Sequence, residues 1–281
     1  MTSPIVELYG LSTEQAGVAW KEVVKGQGCP YLNRRCIKVR KSRPDLSIGT
    51  CTVQHGKKRN PLVICPWRLL ERRQVFTDCL HLLALHEPGN ELHLVSEVSI
   101  PGGGVDFFLV SARGGRVMDF VGVELQSVDT TGTLWPERQR FLKAHGLEVS
   151  EEDAASAKGY GVNWKMSAKT ILVQLHHKIE TFESINKHLV LGIQDHFLAY
   201  MRGEFSFEHL NTARLGDPLH VHAYALQSGR SDLRLVLTGR LSTDAAGIAR
   251  CLGLLAPAKV ELEDITRILQ ARLSDNTLLT L

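Results

Sequence analysis

Two apolar runs joined by a glycine turn restrict most tightly what this chain can fold into. The first opens Val105-Asp106-Phe107-Phe108-Leu109, the second closes on Val123-Glu124-Leu125-Gln126, and Arg113-Gly114-Gly115-Arg116 lies between them. Runs this rich in aromatic and β-branched residues form strands, and the Gly-Gly pair joins them as a hairpin over about 105 to 112 and 116 to 126. A third strand is expected just before it, over about 91 to 100. Each hairpin strand carries an acid in an apolar setting, and an unpaired buried carboxylate costs several kcal/mol, on the order of an isolated polar burial or more. Acids on consecutive strands can lie side by side at one end of the hairpin, where a divalent cation offsets their charge. The plainer alternative is that each acid turns to water at the end of its strand.

Two further acids compete to join Asp106 and Glu124. Glu97 lies near the end of the neighbouring strand and is favoured, as a third metal-associated carboxylate or a proton acceptor; a solvent-facing strand residue is the alternative. Glu71, on the preceding helix, is the competitor. Gln126 cannot supply a positive charge, but its amide can hydrogen-bond an attacking water or a phosphate oxygen.

Charge is distributed unevenly along the 281 residues. Between Lys21 and Arg73 there are 14 Lys and Arg against 3 acids (Glu22, Asp45 and Glu71). With a net charge of +3 for the whole chain, that segment carries about +11 and the rest about −8. Concentrated positive charge attracts a polyanion through counterion release, and nucleic acid is the usual one. Arg34, Arg35, Arg40 and Arg43 are candidates for base or phosphate contacts, and the Lys57-Lys58-Arg59 run for phosphate contacts. A solvated basic surface is the alternative.

Four of the six cysteines, Cys29, Cys36, Cys51 and Cys65, fall inside the same segment. Clustered cysteines in a cytosolic protein suit a metal better than disulfides, although none of the gaps is a short Cys-x2-Cys knuckle. Four thiolates suit zinc or iron alike. Residues 27 to 65 lack sustained periodicity, so a metal is expected to order them. Cys79 and Cys251 sit in apolar helical contexts and are assigned to core packing.

Helices are expected over about 11 to 26, from Pro66 to about 86, near 137 to 144, from a Ser167 cap to about 185, and over 259 to 273. Leu189 to Ile193 reads as a buried strand, and 219 to 228 and 232 to 240 as a strand pair. His176 and His177 point to different helix faces, and His220 and His222 share a strand face without an evident third ligand, so all four are assigned structural roles. Gly102-Gly103-Gly104 has no following Gly-Lys-Ser/Thr and reads as a turn. A serine-hydrolase elbow is absent. The N-terminus lacks a leader pattern and no apolar run approaches a membrane span, so a cytoplasmic protein is expected.

The acid, the following Glu-x-Gln and the helix-strand order resemble the PD-(D/E)xK nuclease superfamily. Joined to the upstream four-cysteine segment, they look like the NotI-type restriction endonucleases. Additional likeness runs through Gly161-Val162-Asn163-Trp164-Lys165 and Ser167-Ala168-Lys169-Thr170-Ile171-Leu172. The resemblance implies an α/β fold with a mixed central sheet flanked by helices, preceded by a four-cysteine metal-binding segment. Its expected divisions are 1–65, a 66–200 nuclease core, and a C-terminal 201–281 carrying a strand pair and helices.

By the same resemblance Asp106 and Glu124 hold Mg2+, Glu97 assists, Gln126 stands where lysine is usual, and Cys29, Cys36, Cys51 and Cys65 bind structural iron. The implied activity is that of a type II restriction endonuclease: Mg2+-dependent, site-specific double-strand cuts in DNA at a GC-rich palindrome, made by a homodimer. A noncatalytic DNA-binding protein and a repair nuclease without strict sequence specificity are the alternatives.

Overall fold

The computed structural model describes residues 3–229, 233–254 and 262–272. At its centre lies a seven-stranded sheet. From one edge to the other its strands are Asn211–Thr212, Leu233–Thr243, Leu219–Ser228, His188–Gln194, Arg116–Gln126, Gly103–Arg113 and Glu91–Ile100. The three middle strands, beginning at 116, 188 and 219, run parallel, and the remaining neighbours pair antiparallel. The fold is therefore mixed α/β, with helices on both faces of a mixed sheet.

The expected hairpin forms, with Arg113 paired to Arg116 across the Gly114-Gly115 turn. The strand His188–Gln194 shows why its sequence is almost continuously apolar. Leu189, Leu191 and Ile193 enter one core with the helix Trp164–Ser184, while Val190 enters the other with Leu69, Val75 and Leu82. A parallel strand covered on both sides leaves no face for polar side chains.

A second sheet of four strands (Leu11–Ser12, Ile5–Leu8, Thr50–His55, Asn60–Val63) is built from the N-terminal segment. Val53 and Leu62 from it, and Ile64 just after its last strand, pack into the core beneath the central sheet. Residues 27 to 65 thus contain an ordered hairpin with its own buried side chains, which the expectation of an unpatterned segment overlooked; Thr50-Cys51-Thr52-Val53 is buried throughout. Arg68 ties the two sheets together. Its side chain, 1% exposed, binds Glu7 at 2.8 Å, Glu71 at 2.9 Å and the Leu233 carbonyl at 2.7 Å.

Three helix expectations need correction. The helix expected over 11 to 26 is confined to Trp20–Gly26, because Leu11–Ser12 pairs as a strand with Ile5–Leu8 and Thr13 donates to the Ile5 carbonyl. The segment expected as one helix from 66 to 86 is broken into a 3-10 turn Pro66–Arg73, a short helix Gln74–Thr77 and a second 3-10 turn Leu80–Leu82. Arg72 and Arg73 at positive φ reverse the chain between the first two. The helix expected from a Ser167 cap begins at Trp164, and Ser167 lies inside it, fully buried and hydrogen-bonded to Asp129. Of the closing helix, Leu262–Gln270 is described; Glu261 lies outside the described residues.

Candidate active site

Three acids stand in a row across the hairpin and its neighbouring strand. Phe107 pairs with Val123 in the antiparallel register, which sets Asp106 opposite Glu124. On the other side Val105 pairs with Val98 and Phe107 with Ser96, which sets Glu97 opposite Asp106. One acid thus stands at the same level on each of three adjacent strands. Glu97 has φ +57°, a left-handed conformation unusual for a non-glycine residue in a strand and of the kind that accumulates at functional sites. The row lies toward the C-terminal end of the parallel strand Arg116–Gln126, where ligand sites of α/β sheets gather.

Burial and mutual repulsion set the electrostatics. Glu124 is 4% exposed, and loss of solvent followed by the charge of Asp106 pushes its carboxyl up to about 7. Lys178 opposes the rise, its Nζ standing 2.6 Å from Glu124 Oε1. Asp106 is likewise raised, first by burial and also by Glu97, while Lys178 and a hydrogen bond from the Leu125 amide (2.9 Å to Oδ2) work the other way. Gln126 Nε2 donates to the Ser127 carbonyl at 2.6 Å.

The competitor for third acid is committed elsewhere. Glu71 accepts from Arg68 at 2.9 Å and from the Leu235 amide at 2.7 Å, in the network that joins the two sheets. Glu97 is the acid beside Asp106.

Lys178 is the residue that sequence reasoning missed. The signal was present: the buried stripe of the helix Trp164–Ser184 runs Ile171, Leu175, Lys178, Phe182, and lysine is the one charge on it. The Pro101-Gly102 turn lies directly against this point. A Cβ on Gly102 would meet the His177 carbonyl oxygen at 2.1 Å, and one on Gly103 would meet Lys178 Cε at 3.3 Å. The turn expected over Gly102 to Gly104 is confined to Pro101 and Gly102, because Gly103 and Gly104 already pair with Ile100 and Ser99 as strand; the missing side chain of Gly102 lets the turn close on the helix.

Cys29, Cys36, Cys51 and Cys65 line one small cavity together with Tyr9, Gly49 and Trp67. All four are free thiols, three buried and Cys36 partly so. Burial raises the pKa of Cys36, Cys51 and Cys65, and neighbouring cysteine charge adds to each rise. Among the described residues, no group of three or more His, Cys, Asp or Glu side chains is arranged as a metal site. The thiols and the carboxylates are each neighbours, but not closed around a common point. Cys79 and Cys251 are buried apart from these thiols, each in a hydrophobic core.

The basic candidates divide. Both Nη atoms of Arg40 bind Asp153, at 3.0 and 3.1 Å, and the guanidinium lies 4.6 Å from the Trp135 ring centre, so Arg40 is engaged within the fold. Arg35 is exposed but donates to the Pro44 and Asp45 carbonyls. Arg43 makes a long pair with Asp45, 3.5 Å, and Arg34 is exposed. Lys57 and Lys58 border a cleft shared with His55, Trp164, His196 and Tyr200.

His220 and His222 are joined by two more imidazoles. His188 lies 5.3 Å from His220 and His81 stacks 6.2 Å from His222, between ring centres. Both nitrogens of His220 and of His222 are buried without a hydrogen-bond partner.

The family model described as restriction endonuclease NotI matches residues 29–220, more than half of the chain. The chain belongs to that family: it is a restriction endonuclease, a hydrolase acting on DNA. No curated protein matches it. No helix among the described residues is long and apolar enough to cross a membrane.

Proposed function

We propose that the chain is a Mg2+-dependent type II enzyme that cuts both strands of DNA at a specific, GC-rich palindrome, and that its core is of the PD-(D/E)xK kind. The observation that carries this reading is the row of Glu97, Asp106 and Glu124 on three adjacent strands. Oxygen donors of this kind suit magnesium, and Asp106 and Glu124 would hold it. When bound, the ion would supply the positive charge that polarises a scissile phosphodiester and acidifies a water.

The protein's own groups then have defined tasks. The Leu125 amide fixes the orientation of Asp106 through Oδ2. Glu97, exposed at the edge of the row, can accept the proton of an attacking water. Gln126, two residues beyond Glu124 on the same strand, can hydrogen-bond that water if its amide leaves the Ser127 carbonyl. Arg34, Arg43, Lys57 and Lys58 are available to the DNA backbone. A palindromic site calls for a two-fold dimer with one active site per strand.

The four thiols would hold structural zinc or iron, whose role is to fasten the turns bearing Cys29 and Cys36 to the hairpin bearing Cys51 and to Cys65 at its end. Incubation of long plasmid DNA with Mg2+ tests the proposed function. Discrete fragments are expected; a smear would indicate a nuclease without site specificity, and intact DNA would indicate binding without catalysis.

A further inference from the structure

The row of acids lacks a cation at residue 126, because glutamine stands there and its amide donates to the Ser127 carbonyl. The fold brings a cation to the same place by another route. We infer that Lys178, carried by the helix Trp164–Ser184, is the cationic catalytic residue of this site and hydrogen-bonds a non-bridging oxygen of the scissile phosphate. The inference rests on the phosphodiester hydrolysis proposed above.

Three observations converge on Lys178. It is 5% exposed, and lysine is almost never buried to that degree without a paired charge. Its partner is Glu124, one of the proposed magnesium ligands, at 2.6 Å. An ammonium has three donors, and Glu124 takes one, so further donors remain for an anion entering beside the carboxylates.

The third observation is the way the helix is clamped at this residue. The Pro101-Gly102 turn and the strand start at Gly103 pack on His177 and Lys178, and Thr181 Oγ1 donates to the Pro101 carbonyl at 2.8 Å. The contact sits at the mouth of the strand that carries Asp106. The close packing holds this turn of the helix, and with it Lys178, beside the strand that carries Asp106.

The step balances without a redox partner. A water oxygen bonds to phosphorus, the bond from phosphorus to the 3′ oxygen breaks, one water proton passes to a base and the leaving oxygen takes a proton from solvent. Lys178 keeps its protons and stabilises the added negative charge on phosphorus.

The competing role for Lys178 is purely structural: it neutralises Glu124 until magnesium arrives. Single-turnover cleavage of plasmid DNA separates the two roles. Lys178→Met should bind DNA within about threefold of wild type yet cleave about 10²- to 10³-fold more slowly, the range for removing one preorganised donor. Introducing Gln126→Lys into that variant should return at least about tenfold of the lost rate, since the charge is restored from the usual strand position.

Cleavage by folded Lys178→Met at or above the wild-type rate overturns the inference and leaves the nuclease reading standing. Failure of Gln126→Lys to restore any rate in the folded double variant also overturns it. Should Lys178→Met not fold, the double variant Gln126→Lys/Lys178→Gln decides by the same comparison: activity supports the inference and inactivity of the folded protein overturns it. If wild-type protein leaves plasmid intact with Mg2+, both readings fall together.

Discussion

At the scale of single residues, the site consists of carboxylates held where water cannot fully solvate them. Glu124 has its pKa raised to about 7 by burial and by Asp106, so the metal-free site retains a proton below that pH. If the proposed magnesium binds here it must displace this proton, so its affinity should fall by up to about tenfold per pH unit below 7 and level off above it. Calorimetric titrations with Mg2+ between pH 5.5 and 8.5 check this, and an affinity flat across that range would place the ion elsewhere. The sign for stability follows the same shift. An unfolded glutamate ionises near its ordinary value, so without metal the fold loses stability as pH rises from about 4.5 to about 7, and no more above.

The acids were legible in the sequence because each interrupts an apolar run, and an interruption on two consecutive strands has few structural explanations. Lys178 was overlooked although its place on the apolar stripe of the helix Trp164–Ser184 is visible in the sequence, because only the packing of that helix on the hairpin shows the carboxylate it meets. The ion pair of Arg40 was not legible either: its carboxylate partner, Asp153, lies 113 residues away, and no local pattern announces it.

At the scale of elements, the hairpin, its third strand and the parallel strand Leu189 to Ile193 could be anticipated, since period and turn chemistry agree over each of them. The broken segment from 66 to 82 could not. Its apolar residues suit a helix, and the reversal at Arg72 and Arg73 goes with tertiary contacts of Arg68 with Glu7 in the second sheet and of Glu71 with Leu235 in the central sheet.

The Gly102 turn has a direct test. Gly102 has φ +94°, and an added Cβ would collide with the His177 backbone, so Gly102→Ala should cost about 1–3 kcal/mol, the usual scale for such strain. Chemical denaturation measures it, and an unchanged midpoint would show that the turn does not rest on the helix.

The four-cysteine cavity makes a second prediction at this scale. Elemental analysis should find about one zinc or iron per chain, lost in Cys36→Ser or Cys51→Ser and kept in Cys251→Ser. Full metal content in Cys51→Ser would remove the proposed structural ion. The buried hairpin Thr50–Val63 limits what that loss should do: the turns bearing Cys29 and Cys36 become protease-sensitive, while the hairpin stays protected.

At the scale of the whole molecule, charge and pH act through groups outside the row of acids. Alanine at Lys57, Lys58 and Arg59 together should flatten the salt dependence of DNA affinity if they meet phosphate, by about 0.9 in log K against log salt for each phosphate no longer neutralised. An unchanged slope would assign the run to solvent.

The histidine cluster is expected to contribute to the acid limb of stability. Burial pushes His220 down to about 4 and His222 down to about 3, with His188, His81 and Arg240 adding to the fall and Asp217 opposing it at His220. The unfolded chain takes up these protons near pH 6.5 and the fold does not, so stability should fall as pH drops from about 6.5 toward 4. His222→Leu should weaken that dependence, read as melting temperature against pH; an identical profile would show that the cluster is not the source.

The claim on which these expectations depend is that Asp106 and Glu124 perform chemistry instead of supporting the fold. The most direct measurement is single-turnover cleavage of plasmid DNA by Asp106→Asn beside wild type, with DNA affinity and melting temperature taken on the same preparations. Affinity and melting temperature should stay near those of wild type, while cleavage falls by orders of magnitude because the metal has lost a charged ligand. Cleavage by the folded variant near the wild-type rate would contradict the assignment of this row of acids as the reaction centre.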